Sequence, residues 1–247
     1  MQVTIVTGGG RGIGAACVRR LAAAGHAVAV NYRSDEAAAA AVVQAVLDAG
    51  GRAVAIQADV TDGADLEQLF RTTHDELGPV TGLINNAGAT AHIADLADTP
   101  VETVRSVIDL NLTAAVLCAR QAAIVMSTRR GGGGGSIVNI SSGAATLGSP
   151  HEYVHYAAAK AGIDTLTVGL AKELAGDGIR VNAVAPGLIN TTIHADAGDA
   201  GRLDRAKDRV PMARAGEVDE VAPAVAWLLS AEATYITGAV IRVAGGL

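Results

Sequence analysis

Short runs of β-branched and aliphatic residues alternate along the chain with longer alanine-rich segments in which apolar positions recur every three to four residues. The first pattern predicts buried strands and the second predicts amphipathic helices. The predicted strands span residues 2–7, 27–31, 52–58, 81–85, 135–141, 178–184 and 239–243. The predicted helices span residues 11–24, 34–49, 62–77, 98–129, 150–175 and 217–230.

This regular alternation is typical of repeated βαβ units, whose right-handed crossovers place helices on both faces of a parallel sheet. We therefore expect an α/β protein in which residues 1–247 form a single domain around a doubly wound, seven-stranded parallel sheet. The five glycines at 131–135 join a helix to a strand, so we interpret them as a surface loop and not as a domain linker. Segment 188–212 has weak periodicity after Pro186-Gly187 and is predicted to be a substrate lid.

Composition narrows the classes of partner. Half of the residues are hydrophobic but only 2% are aromatic, so the core must be built from small aliphatic side chains packed against glycine. A formal net charge of -6, with no basic cluster beyond Arg129-Arg130, argues against nucleic acid or an anionic membrane as partner. No apolar run is read as long enough to cross a bilayer and no signal peptide is recognised, so we expect a cytoplasmic protein with a small-molecule substrate.

The cysteines and histidines indicate neither redox chemistry nor metal binding. Cys17 and Cys118 fall inside apolar helical segments, which predicts two buried thiols in a reducing compartment. The close pair His151 and His155 lacks further ligands nearby in the sequence. We predict no catalytic metal.

A glycine-rich segment, Thr7–Gly14, connects the first predicted strand to the first predicted helix. Glycines in such a turn let the backbone approach a pyrophosphate, and the following helix offers unpaired N–H groups to its negative charge. The glycines at 8, 12 and 14 depart from the GxGxxG spacing, but their position between a strand and a helix is the context that a dinucleotide site requires.

The end of the second predicted strand bears on the choice between NAD and NADP. The sequence Val30-Asn31-Tyr32-Arg33-Ser34 has no carboxylate that would bind a free ribose 2′-hydroxyl. Arg33 and Arg11 are instead suited to a 2′-phosphate. NADP(H) is therefore the preferred cofactor and NAD(H) the alternative, in which both arginines are solvated surface charges. Asp59, after the third strand, either accepts a hydrogen bond from the adenine amino group or caps the next helix.

Four polar residues in the second half of the chain suit proton transfer to a carbonyl oxygen. Tyr156 and Lys160 are four residues apart in a predicted helix and share one face, so that the ammonium group would favour the phenolate and bring the tyrosine pKa toward neutral pH. Ser142 and Asn111 lie upstream, and the Asn111 side chain could equally bond helix backbone at a kink. A Tyr/Lys pair at this spacing also occurs on ordinary surface helices, so the pair alone is a hypothesis.

Taken together, these segments resemble the short-chain dehydrogenase/reductase family. The match runs through Thr7–Gly14, Ala58-Asp59-Val60, Asn85–Gly88, Asn111, Ser141-Ser142, Tyr156–Lys160 and Pro186-Gly187, and so covers nearly the whole chain. The resemblance implies a Rossmann fold with seven parallel strands and an enzyme that acts on a CH–OH or C=O group with a nicotinamide cofactor. It is nearest to bacterial sugar-dehydrogenase-like and oxoacyl-carrier-protein-reductase-like members, which leaves the substrate open.

The resemblance also implies a role for each residue. Tyr156 is expected to donate the proton in reduction, and Ser142 to hold the carbonyl oxygen, with Ser141 as the alternative. Lys160 is expected to lower the tyrosine pKa and bind the nicotinamide ribose, and Asn111 to anchor a water that relays protons to Lys160. The residues predicted to contact the cofactor are Gly8, Arg11, Gly12, Ile13, Gly14, Tyr32, Arg33, Asp59, Val60, Asn86, Ala87, Gly88, Tyr156, Lys160, Pro186, Gly187, Ile189 and Thr191. The apolar faces of the helices at 98–129 and 150–175, together with the resemblance, predict a homotetramer.

Two alternatives stay open. A catalytically silent NADP-binding sensor or structural subunit could use the same fold, although such a protein need not keep all four polar residues. A sugar-nucleotide epimerase or dehydratase would need a larger C-terminal substrate domain. The predicted substrate walls follow Gly88, Ser142 and Pro186 and include Thr90, His92, His151, Tyr153, Leu188 and His194.

Overall fold

All seven strands of the sheet run parallel in the computed structural model of the chain, which describes residues 1–193, 198–199 and 201–247. The strands are β1 (Val3–Val6), β2 (Ala27–Tyr32), β3 (Arg52–Gln57), β4 (Gly82–Asn85), β5 (Gly135–Ile140), β6 (Ile179–Pro186) and β7 (Val240–Val243). Their order across the sheet is β3-β2-β1-β4-β5-β6-β7. The predicted fold class is confirmed, and every predicted strand end lies within two residues of the observed one.

Helices cover both faces of this sheet. They are α1 (Gly12–Ala23), α2 (Glu36–Asp48), α3 (Gly63–Leu77), α4 (Val101–Ile108), α5 (Ala114–Met126), α6 (Ala144–Leu147), α7 (Val154–Leu174), α8 (Arg202–Ala206) and α9 (Val218–Leu229). A π-helical turn, Asp109–Thr113, joins α4 to α5.

The core divides into two layers because neighbouring side chains of a strand point to opposite faces. Ile5 packs in a cluster with Leu69 of α3 and Cys118 of α5, whereas the next residue, Val6, packs with Leu21 of α1 and with α9. Both clusters are dominated by Ala, Val, Ile and Leu, as the composition predicts. Each layer packs one set of helices against the sheet. This packing holds the carboxyl ends of the strands side by side at one edge.

The strand order reverses between β1 and β4, and this is where the loops that follow the two strands meet. The Thr7 hydroxyl accepts hydrogen bonds from the backbone N–H groups of Asn86 (2.9 Å) and Ala87 (3.0 Å). The Asn86 side-chain amide donates in return to the Thr7 (2.9 Å) and Gly8 (3.1 Å) carbonyls. Ligands of open α/β sheets bind in the crevice at such a reversal.

Two helix predictions need correction, and two short helices were missed. The predicted helix at 98–129 is interrupted by the π-helical turn around Asn111, where the Asn111 amide donates to the Val107 carbonyl four residues earlier and widens the turn. The helix predicted from residue 150 begins at Val154, since Ser149 (φ 45°) and His151 (φ 63°) adopt left-handed backbone conformations. The short helices α6 and α8 were not predicted, because four or five residues are too few to establish a period.

Segment 188–212 is described only in part. Ile189 forms an isolated parallel bridge with Gly216, and α8 follows at Arg202. Residues 194–197 and 200 lie outside the described residues. The function of this segment as a lid stays a prediction.

One helical stretch, Val101–Met126, is long and apolar enough to cross a membrane by length and composition, contrary to the sequence-based expectation. A helix packed in a protein core passes the same test. In this stretch, Ala114, Cys118 and Ala122 are buried in the core cluster of α3 and α5. The finding is therefore a weak indication of a membrane span.

The predicted burial of the two cysteines is confirmed. Cys17 and Cys118 are both buried and free. Burial raises the pKa of each thiol to about 12, so neither has thiolate character at neutral pH.

Candidate active site

A cavity of about 540 Å³ opens at the carboxyl ends of the strands. Its walls come from the loops after β1 to β6, which is why residues far apart in the sequence meet there. The predicted cofactor contacts that line it are Gly8, Arg11, Gly12, Ile13, Tyr32, Arg33, Asp59, Val60, Asn86, Ala87, Gly88, Tyr156, Lys160, Pro186, Gly187, Ile189 and Thr191. Ser142 lines the same cavity, whereas Gly14 and Asn111 do not.

The glycine-rich loop is shaped for close approach of a ligand. Gly8 (φ 60°) and Gly12 (φ 55°) adopt left-handed conformations that favour glycine, and both line the cavity together with Ile13 in the first turn of α1. Gly14 has a different function from the predicted one. A Cβ at Gly14 would lie 2.4 Å from the Gly8 carbonyl oxygen and 2.6 Å from the Asn86 side-chain nitrogen, so this glycine lets α1 pack against the loop.

The adenosine end of the cavity carries the predicted arginines and Asp59. Arg11 and Arg33 both line it. Hydrogen bonds from the Thr61 hydroxyl and backbone N–H hold the pKa of Asp59 below its ordinary value, and the Arg33 charge lowers it further. The alternative reading of Asp59 as a helix cap is wrong, because Asp62 accepts the hydrogen bonds from the first turn of α3. Asp59 lines the cavity, and its Oδ1 accepts the two hydrogen bonds from Thr61.

Sequence reasoning missed two polar residues at this end. The Asn31 side chain is buried, accepts a hydrogen bond from the Gly8 backbone N–H (3.2 Å) and donates to the Ala58 carbonyl (3.0 Å). Asn31 thereby joins the glycine loop to the ends of β2 and β3. In the sequence it could have been recognised as a polar residue within an apolar strand. Asp35 also lines the cavity, but its carboxylate is used to cap α2 at the Ala38 N–H (3.0 Å).

The other end of the cavity is lined by three of the predicted catalytic residues, Tyr156, Ser142 and Lys160. Tyr156 is buried, and of the two serines it is Ser142 that lowers its pKa, which supports the choice of Ser142 over Ser141. Lys160 lies one helical turn along α7, with its Nζ 5.6 Å from the centroid of the Tyr156 ring. The same ammonium group donates to the Ile140 carbonyl at 2.9 Å.

The charge states of this pair differ from the prediction. We expected Lys160 to lower the pKa of Tyr156. Burial instead raises this pKa, and Ser142 offsets only part of the increase. Burial also lowers the pKa of Lys160 to about 8, against the opposing charge of Asp164. Desolvation is the largest cause of both shifts because both side chains are enclosed.

Asn111 lies beside this pair, in the π-helical turn, and not in the cavity wall. Its side-chain nitrogen donates to the carbonyls of Ala89 and Val107, both at 2.8 Å. Its Oδ1 is buried and, among the described residues, has no hydrogen-bond partner. A Cβ at Gly88 would lie 2.6 Å from this oxygen and 3.5 Å from Lys160 Nζ, so the two polar groups face the same point. The predicted neighbourhood of Asn111 and Lys160 is thus present.

The predicted substrate walls are brought together only in part. Thr90 and Tyr153 line the cavity, and Tyr153 packs edge-on against Tyr156 with 5.4 Å between ring centroids. His92 and Leu188 do not line it. His151 points elsewhere, since its exposed ring bonds Asp95 at 2.8 Å. The predicted contact His194 lies outside the described residues.

These features fit a nicotinamide dinucleotide bearing a 2′-phosphate. Gly8, Gly10 and Gly12 present only backbone to the cavity where a pyrophosphate would approach α1, and two guanidinium groups lie at the adenosine end. The buried Oδ1 of Asn111 and the ammonium group of Lys160 offer polar partners at the opposite end.

Comparisons with known proteins agree with this geometry. Residues 8–247 match the family model described as enoyl-(acyl carrier protein) reductase. The chain is 47% identical to the uncharacterized oxidoreductase YgfF of Escherichia coli over the full length of both proteins. It is 41% identical to 3beta-hydroxysteroid dehydrogenase 1 of Eggerthella lenta, over 100% of this chain and 93% of that protein. The solved structure of a short chain dehydrogenase from Burkholderia cenocepacia in complex with NADP superposes with a TM-score of 0.91 at 33% identity, over 99% of this chain and 97% of that one.

Proposed function

Since the chain belongs to the short-chain dehydrogenase/reductase family and is therefore an oxidoreductase, we propose that it transfers hydride between NADP(H) and the carbonyl or secondary alcohol group of a small molecule. The observation that carries this proposal is the placement of the Tyr156 phenol. It lies at one end of the cavity, which Ser142 and Lys160 also line, while the glycine loop and two arginines lie at the other end.

The dinucleotide, when bound, supplies the hydride that is added to the carbonyl carbon in reduction and accepts it in oxidation. Tyr156 donates its proton to the carbonyl oxygen as the C–O π bond opens, and Ser142 donates a hydrogen bond to the same oxygen. The raised pKa of Tyr156 keeps this proton in place at neutral pH until the oxygen becomes basic. In oxidation the same groups act in reverse, with the phenolate as base.

Lys160 and Asn111 restore the proton to Tyr156 after reduction. The lowered Lys160 pKa of about 8 makes its ammonium group a good proton source near neutral pH. The buried Oδ1 of Asn111, which faces the same point as Lys160 Nζ, would hold a water in line with it. Lys160 would also bind the nicotinamide ribose from this side.

The preference for NADP(H) rests on charge at the adenosine end. Arg11 and Arg33 both line the cavity, and a guanidinium group pairs with a phosphate through charge-assisted hydrogen bonds. The structural relative from Burkholderia cenocepacia, solved with NADP, supports the same choice. NAD(H) is the weaker alternative.

We also propose a homotetramer. The exposed large apolar side chains include members of the α4–α5 stretch and α7, namely Val101, Val116, Ile124, Val125 and Val168. Apolar faces of this kind mark interaction surfaces, and a further copy of the chain is the proposed partner.

The experiment that separates this function from a silent NADP sensor is a turnover assay. Purified protein is incubated with NADPH and a panel of carbonyl compounds that includes oxo-steroids, β-oxoacyl thioesters and aldoses, and the loss of NADPH absorbance is followed. Turnover supports the enzyme. Tight NADPH binding, with no reduction of any carbonyl and no oxidation of the corresponding alcohols, would favour the sensor.

A further inference from the structure

Arg202, the first residue of α8, reaches the loop that leads into the catalytic helix α7. Its Nη2 lies 2.7 Å from Glu152 Oε2 and donates a second hydrogen bond, 2.8 Å long, to the Tyr153 hydroxyl. The guanidinium carbon lies 5.1 Å from the centroid of the Tyr153 ring. The Arg202 and Glu152 side chains are only 14% and 23% exposed, so this ion pair is largely shielded from solvent.

Tyr153 connects this ion pair to the catalytic tyrosine. It is buried, lines the cavity and precedes the first residue of α7. Its ring meets that of Tyr156 edge-on at an interplanar angle of 85°. Edge-to-face pairs of aromatic rings have a preferred geometry, so the orientation of one ring constrains the other.

The loop between Ser149 and Tyr153 has little else to fix it. His151 is in a left-handed conformation, and its exposed side chain bonds Asp95. The Glu152 carbonyl accepts a hydrogen bond from the Ala94 N–H at 2.9 Å, which joins this loop to the segment after β4. Arg202 thus joins α8 to this loop, and the Glu152 carbonyl joins the loop to the segment after β4.

We propose that Arg202 is a positioning residue of the substrate site: by holding the Tyr153 hydroxyl, it fixes the aromatic wall against which a substrate carbonyl is aligned with Tyr156. This role rests on the proposed function. Because Glu152 neutralises the guanidinium group, Arg202 acts on the orientation of Tyr153 and is not a receptor for an anionic substrate group. Misalignment of a substrate by about 1 Å can cost a hundredfold in rate.

The test compares three variants with the wild type, using a carbonyl substrate found in the turnover assay. Arg202→Met keeps the length of the side chain but removes its donors, and Tyr153→Phe removes only the hydroxyl. We expect each to lower kcat/KM by about tenfold to a hundredfold with the Kd for NADPH unchanged. The double variant should lose no more than the more impaired single variant, because both remove the same hydrogen bond. Arg214→Met is the matched control, since it breaks another Arg–Glu pair, with Glu220, outside the cavity wall, and its kcat/KM should stay within about twofold of wild type.

Three results would overturn the positioning role. One is an Arg202→Met enzyme with wild-type kcat/KM, and another is a double variant whose loss equals the product of the two single losses. If Arg202→Met fails to fold, Tyr153→Phe decides, and wild-type kcat/KM in that variant overturns the role. A wild-type protein that turns over no carbonyl contradicts the proposed function itself, and the positioning role with it.

Discussion

The ammonium nitrogen of Lys160 lies 5.6 Å from the centre of the Tyr156 ring, one turn further along the same helix. Both groups are buried, and burial moves their pKa values in opposite directions, upward for Tyr156 and down to about 8 for Lys160. Each shift favours the uncharged form of its group. Near neutral pH the tyrosine therefore holds its proton, and the lysine holds one that it can give up.

The buried charge of Lys160 should reduce the stability of the protein below pH 8. Its pKa is about 8 in the folded chain and 10.5 as the ordinary value, so the folded state loses the proton first as the pH rises. Below about pH 8, Lys160 is protonated in both the folded and the unfolded state, so the full cost of burying its charge lowers the stability. This cost disappears as the pH rises toward 10.5. At pH 7 the free energy of unfolding of Lys160→Met should therefore be higher than that of wild type by on the order of 3 kcal/mol. Urea unfolding from pH 7 to 10 measures the difference.

The difference between the two proteins, and not the stability of either, is the diagnostic quantity, because other groups titrate in the same range. It should shrink steadily from pH 8 upward. A difference that is constant from pH 7 to 10 would contradict the assignment of a lowered pKa to Lys160.

Gly14 should be intolerant of a side chain. Gly14→Ala would place a methyl group 2.4 Å from the backbone oxygen of Gly8, so α1 and the loop must separate. We expect a loss of about 1 to 3 kcal/mol in unfolding free energy and weaker NADPH binding. Gly63→Ala is the control, because nothing lies within 4 Å of its added Cβ, and it should be as stable as wild type or more so. Equal stabilities for the two variants would refute the packing role of Gly14.

Arg33 should determine cofactor choice. Arg33→Ala removes a guanidinium group from the adenosine end of the cavity. The fall in kcat/KM for NADPH should correspond to a loss of about 1.5 to 3 kcal/mol in transition-state stabilisation, while kcat/KM for NADH should change little. The control is Arg71→Ala, on the exposed surface of α3. Wild-type enzyme that uses both cofactors equally well would overturn the assignment.

The exposed valines and isoleucine on the α4–α5 stretch and α7 should be covered in solution. Sedimentation velocity at micromolar concentration should give a species about four times the 24.7 kDa mass of the chain. Replacing Val116 and Val168 together with Lys should shift it toward smaller species, since charged side chains oppose burial. A wild-type protein that sediments only as a monomer would refute the tetramer.

The sequence predicted those parts of the protein that depend on local pattern. Strands β1, β2, β4, β5 and β6 are largely buried on both faces and appear in the sequence as apolar runs, so their ends were placed closely. The π-helical turn at Asn111 was not predicted, because an inserted residue leaves an alanine-rich pattern almost unchanged. Most of the cofactor-binding residues could be predicted since they follow strand ends, which meet at one edge of the sheet.

The errors concern properties that exist only in three dimensions. The pKa of Tyr156 depends on how completely the ring is enclosed, which spacing along a helix does not report. Gly14 has the same signature in sequence as Gly12, yet one packs against backbone and the other lines the cavity. Arg202 gave no signal, because its partners Glu152 and Tyr153 lie about fifty residues earlier in the chain.

The central claim is that Tyr156 exchanges the proton with the substrate oxygen, and Tyr156→Phe tests it most directly. The variant keeps the ring that packs on Tyr153 but removes the hydroxyl, so turnover should fall by about 10² to 10⁴. The Kd for NADPH should stay within about threefold, because the glycine loop and arginines are untouched. A Tyr156→Phe enzyme with near-normal kcat would contradict the mechanism.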